Sequence, residues 1–197
     1  MKITELLSEA ESDTITLYHG GRGLEYGGHR EIVPNAKGRW EHGPGLYLTT
    51  SYSRARSYAK GGRKVYKVVI RRGTNLRGST ISYQAVQQFT KQYIMARSRK
   101  SFIEDINTIM ARYDLTDRVP SDVFVNLIIN DNLLSSSKTP VLNKFLVDNG
   151  IDYSIVTNYG GSGETVVALF NRNLIVDVSP LGKETITDYN VSFPWNT

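Results

Sequence analysis

The chain has 197 residues, a formal net charge of +5 and no cysteine. That length suits a single domain, 1–197, with a sizeable core, and an apolar share of 40% beside a charged share of 22% is the balance of a soluble globular protein. Without cysteine, disulfides, thiol nucleophiles and thiolate metal sites are excluded, which suits a reducing cytoplasm. No apolar run approaches ~18 residues, so no membrane-spanning helix is expected.

The opening MKITELLSEAES reads as a short amphipathic helix, with Ile3, Leu6, Leu7 and Ala10 on one side. It is too acidic for a secretory signal. TITLYHG (14–20) alternates and predicts a strand ending at His19-Gly20-Gly21. A Gly-rich loop follows over roughly 21–44, and loops of that length often cover a site. GLYLTT (45–50) predicts a second strand. Thr50 or Ser51 then caps a helix reaching about Lys60, and KVYKVVIRR (64–72) returns as a strand.

From Ile81 to Asn149 the spacing turns helical. One helix carries Ile81, Ala85, Val86, Phe89, Tyr93 and Ile94; a second carries Phe102, Ile103, Ile106, Ile109 and Met110. Pro120-Ser121-Asp122 opens a third. Thr139-Pro140 opens a fourth as N-cap and first-turn proline, and Gly150 closes it. The end of the chain reads as strands again, near 153–156, 164–170, 174–178 and 185–191. Strands, helices, then strands predict an α+β fold with an inserted helical segment, about 81–149.

Several residues carry chemistry in this pattern. His19 stands at a strand end beside Gly20 and Gly21, whose bare backbone can approach a ligand closely. An imidazole there can hold a ribose hydroxyl while the backbone reads a carboxamide. Tyr47 and Tyr58, on a strand and on the helix after it, offer two aromatic faces to a flat heterocycle. Glu164 follows Gly160-Gly161-Ser162-Gly163 and shares a strand face with Val166, Ala168 and Phe170. The basic stretch from Arg54 to Arg77 reads as a solvated face or as a phosphate-attracting one. His19, His29 and His42 show no metal spacing, and no metal is expected. There is no Walker-type phosphate loop, and Glu164 lacks the second carboxylate a glycosidase needs.

Taken together, LYHGGR and GPGLYLTTSYSRARSYA resemble the diphtheria-toxin-like, PARP-like ADP-ribosyltransferases of the His-Tyr-Glu class. The matching elements are His19-Gly20, then Gly43-Pro44-Gly45-Leu46-Tyr47-Leu48, then Tyr58. The resemblance covers roughly 14–72 and 150–180. It implies a split β-sandwich that holds NAD, as co-substrate, in the cleft between sheets. It assigns His19 to a ribose hydroxyl, Gly20 to the carboxamide, and Tyr47 and Tyr58 to the two faces of the nicotinamide. The family often has a serine where this chain has Ala55, so that contact is either missing or supplied by Ser51 or Ser53. Arg22, with Arg30, Arg39 and Trp40, sits in a loop placed to close over NAD.

For the family's acid the candidate is Glu164, on GETVVALF. Aligning FNRNLI (170–175) with the family's corresponding segment puts the position on Val166 instead, two residues or ~6.6 Å along the strand. The expected activity is mono-ADP-ribosyl transfer from NAD to a protein, or secondly to RNA or DNA, as in a bacterial or phage effector acting as a monomer in the cytoplasm. A non-catalytic NAD or ADP-ribose binding module and an RNA 2′-phosphotransferase are the alternatives.

Overall fold

The protein's architecture comes from a computed structural model, which describes residues 13–21, 42–61, 64–134, 138–161, 163–181, 191 and 193–195. The expected N-terminal helix, most of the 21–44 loop and nearly all of the 185–191 strand lie outside them. The fold is α+β, built on an antiparallel sheet. The sheet strands are β1 (Thr14–Gly21), β2 (Leu46–Thr49), β3 (Lys64–Arg71), β6 (Tyr153–Tyr159), β7 (Glu164–Leu169) and β8 (Ile175–Leu181), in the order β6-β7-β2-β1-β3-β8. A separate two-stranded ribbon pairs β4 (Thr80–Ser82) with β5 (Arg118–Pro120).

The helices are α1 (Tyr52–Tyr58), α2 (Tyr83–Tyr93), α3 (Arg99–Arg112), α4 (Ser121–Asn130) and α5 (Thr139–Asp148). Ile81 belongs to β4 rather than to α2: it pairs with Val119 across the ribbon, and both are buried. Ser82 then caps α2, its side chain accepting from the Ala85 N–H. The fourth inserted helix begins one residue earlier than expected, with Lys138 in the cap position and the buried Thr139 inside the first turn. Gly150 ends it with φ +75°, the left-handed turn that glycine adopts without penalty. No helix among the described residues is long and apolar enough to cross a membrane.

Alternation along the strands builds a core on each face of the sheet. Leu17, Leu48, Val68 and Val167 lie on one face with Trp195. On the other, the inserted helices gather Phe89, Phe102, Phe124 and Ile106 into a larger core that meets the sheet through Ala168 and Phe170.

The pairing is uneven in a way that matters for the site. β1 and β3 are in register over their full length, Thr14↔Arg71 to Gly21↔Lys64. β2 and β7 pair from Leu46↔Leu169 to Thr49↔Val166. Between β1 and β2 the register is a single pair, Tyr18↔Thr49. The sheet thus has two well-bonded halves, β6-β7-β2 and β1-β3-β8, meeting at a narrow seam.

Candidate active site

The seam holds the first cluster. Beyond the Tyr18↔Thr49 pair, the Tyr47 carbonyl is taken by a side chain: His19 Nδ1 lies 2.9 Å from it. A carbonyl only accepts, so Nδ1 carries the proton and Nε2 keeps its lone pair. Burial lowers the imidazole's pKa from its ordinary 6.5; the Tyr47 bond works against that, and the Arg172 guanidinium adds to it. His19 is therefore neutral at pH 7, with Nε2 an acceptor. A side chain at Gly21 would run into Nε2, so the bare backbone leaves the imidazole its place.

Gly20 has a different use. A Cβ there would collide with the Ala55 backbone, 2.6 Å from its carbonyl carbon. The missing side chain lets α1 lie directly on β1. The helix also sets Tyr52 edge-on against Tyr18, with centroids 5.6 Å apart, and buries Ala55 completely. One side of Gly20 is thus occupied by α1. Ala55, the position where the resembled family often has serine, is the residue that makes this contact.

Tyr47 is half-buried against the helical core. Its hydroxyl donates to the Gly43 carbonyl (2.9 Å) and accepts from the His42 N–H (3.3 Å). The ring thereby fastens the segment that leads into β2. Gly43, at φ +102°, packs against Phe170, and the His42 ring meets Tyr159 edge-on at 5.5 Å.

Glu164 opens β7 after a hairpin loop in which Asn158, Gly160, Gly161 and Gly163 all take positive φ. The Asn158 side chain accepts from the Gly163 N–H at 3.0 Å and pins that loop. Antiparallel partners share a face, so Tyr47 with Ala168 and Thr49 with Val166 place Tyr47, Thr49, Val166 and Glu164 on one side of the sheet. The Glu164 carboxylate is buried. Thr49 donates its hydroxyl to Oε1 at 2.5 Å, and Arg54 Nε stands 3.2 Å from Oε2. Burying a carboxylate is costly unless it is bonded, and these two residues supply the compensation. Val166 lies directly opposite Thr49 and Val156, one strand repeat nearer Tyr47.

Ser51 is the helix cap: its hydroxyl accepts from the Arg54 N–H and lies 3.0 Å from that of Ser53. That cap aims Arg54 at Glu164 from the first turn of α1. Tyr58, at the far end of the same helix, is 60% exposed. It lines an open hollow of about 660 Å³ with Arg54, Ser57, Lys60 and Gly61. A second hollow, of about 220 Å³, lies between α4 and β6, with His42, Arg77, Asp122 and Asn126 among its walls. Arg22, Arg30, Arg39 and Trp40 are outside the described residues.

The structure thus joins His19 to Tyr47, and Gly20 to the helix that carries Tyr58. It ties Glu164 to that helix through Arg54. Thr49 and Arg54 are the participants that the sequence reading missed. Period two put Thr49 on the Tyr47 face, but nothing local showed that a strand beginning at residue 164 lies beside it. No family model, no curated protein and no solved structure matches this chain.

Proposed function

We propose that the chain is a mono-ADP-ribosyltransferase that moves ADP-ribose from NAD to a macromolecular acceptor with release of nicotinamide. One observation carries the reading: the neutral His19, its Nδ1 on the Tyr47 carbonyl, at the one place where the sheet is barely joined. A seam of that kind agrees with the split β-sandwich that the resemblance implies. Nε2 suits a ribose hydroxyl, which donates to it. The backbone at Gly20 and Gly21 suits a carboxamide, and Tyr47 and Tyr58 keep the stacking roles the resemblance gives them.

The chemistry follows from charge. Cleaving the bond between ribose and nicotinamide builds positive charge on an oxocarbenium-like sugar. A fixed carboxylate stabilises that charge and polarises the ribose 2′-hydroxyl, the kind of preorganised contribution worth ~100- to 1,000-fold in rate. Nicotinamide departs from a cationic ring, so no strong acid is required. Glu164 is the carboxylate, with Thr49 and Arg54 fixing its direction. The acceptor attacks the opposite face of the sugar.

A specific observation favours a second reading. Glu164 is already engaged by Thr49 and Arg54, and Val166 occupies the strand position that the alignment on FNRNLI assigns to the acid. A chain without an acid at that position would be a module that binds NAD or ADP-ribose without turning it over. Incubation with NAD labelled on the adenosine side, with and without cell lysate, separates the two. Nicotinamide release with label on protein or nucleic acid supports the transferase. NAD binding with no release under either condition supports the module.

A further inference from the structure

We infer that the flank of α1 that carries Arg54, Ser57 and Tyr58 forms, with Lys60, a docking surface for a single-stranded nucleic acid, which would make nucleic acid the acceptor class; that last step rests on the transferase reading. No acidic residue occurs in the sequence between Glu41 and Glu104, although the basic stretch falls inside that interval. The structure shows where those cations go. Tyr52 and Ala55 face inward from α1, so Arg54, Arg56 and Ser57 face out. Lys60 and Lys64 follow and are also exposed.

Arg54, Ser57 and Tyr58 stand at i, i+3 and i+4 on one flank, and with Lys60 and Gly61 they line the larger hollow. Among the described residues no carboxylate lines it. One lining residue, Arg54, meets the buried Glu164 carboxylate, its Nε 3.2 Å from Oε2. The Arg54 side chain is nonetheless 50% exposed, so its guanidinium can be reached from the open side. A guanidinium of that kind suits a phosphate oxygen pair better than a mobile lysine does.

The surface is a positively charged hollow, open to solvent, of a size to take a nucleotide backbone. These are the features by which proteins track a single strand without reading its sequence. A duplex presents its phosphates on a rigid, wide cylinder, whereas a single strand can bend its backbone into a hollow of about 660 Å³. The location gives the docking a purpose. One residue, Arg54, touches both the hollow and the Glu164 carboxylate. A strand held there is brought beside the proposed reaction centre, at the edge that Tyr58 marks.

Fluorescence anisotropy with a labelled mixed-sequence oligonucleotide of about 12 nucleotides, as RNA and as DNA, tests this on the full chain. The two cations that line the hollow, Arg54 and Lys60, predict that log Kobs falls with log [KCl] with a slope of about −1.4 for a single strand. A duplex of equal length should bind more weakly. The double substitution Ser57→Glu with Lys60→Glu, both in the hollow, should weaken binding at least about tenfold and flatten the slope by about 0.7. A larger charge change on the helical segment, Lys91→Glu with Arg97→Glu, should leave most of the affinity. NAD binding by all three proteins is measured alongside and should be equal. Absence of oligonucleotide binding at about 50 mM KCl, or an equal loss in the Lys91/Arg97 variant, overturns the inference. Either result with NAD turnover intact leaves the transferase reading standing; oligonucleotide binding without NAD turnover does the reverse.

Discussion

Replacing Gly20 with alanine tests how β1 and α1 are joined. The added Cβ would sit 2.6 Å from the Ala55 carbonyl carbon and 3.2 Å from its Cα, and closer still to the carbonyl oxygen. Ordinary van der Waals contact begins at 3.4 Å. The obstacle is backbone, so no side-chain rotation relieves it. That carbonyl also accepts the Ala59 N–H at 3.2 Å, so the helix has to retreat as a unit. Overpacking of this kind costs about 1–3 kcal/mol. For a chain of this size each kcal/mol lowers Tm by about 2–4 °C, so a drop of roughly 2–12 °C is expected in a thermal melt, with a matching loss in urea. The retreat also carries Tyr58 and Arg54 away from their places, so NAD affinity should fall with stability. Gly21→Ala makes a useful contrast. Its Cβ meets the His19 ring, which can swing aside, so stability should change little while NAD binding is lost. A Gly20→Ala protein as stable as wild type, within about 0.5 kcal/mol, would refute the close contact between α1 and β1.

Other perturbations probe the same cluster. His19 has a folded pKa below 6.5, so on acidification the unfolded chain takes up its proton first. Its contribution to stability is therefore complete above pH 6.5 and is lost progressively as pH falls below that value. Urea melts at about pH 5 and about pH 7.5 should show this fall in the wild type and a smaller one in His19→Gln. Thr49→Val keeps the shape but removes the hydroxyl bonded to a buried carboxylate, at a cost of about 1.5–3 kcal/mol by denaturation, and Thr49→Ser should recover most of it. Ser51→Ala removes the cap of α1, worth about 1 kcal/mol, and should loosen Arg54 as well.

Much of this architecture is written locally. The strands over TITLYHG and KVYKVVIRR alternate because one face of each is buried, and Ser51 caps α1 because a hydroxyl there meets a free N–H. What the sequence hides is pairing over distance. The ribbon of β4 and β5 escapes notice because three-residue strands have almost no period, and Ile81 fits a helical face equally well until Val119 arrives across from it. The seam between β1 and β2 is equally invisible, since nothing in LYHGG says how far its ladder extends. Gly20 illustrates the limit at the site. Its need for a bare backbone was legible, but the partner filling the space on one side is a helix thirty-odd residues later. The Glu164 environment depends on Thr49 and Arg54, both more than a hundred residues away in sequence.

In the proposed reaction the Glu164 carboxylate promotes nicotinamide release from NAD held at His19 and Tyr47. Glu164→Gln keeps the volume and can still accept from Thr49, so binding should survive while the charge is gone. Nicotinamide release measured for wild type and Glu164→Gln at matched NAD occupancy is the direct test. Release by Glu164→Gln should fall about 100-fold or more with NAD affinity nearly unchanged. Equal release by the two proteins would contradict it, as would a wild type that binds NAD and releases no nicotinamide with protein or nucleic acid supplied as acceptor.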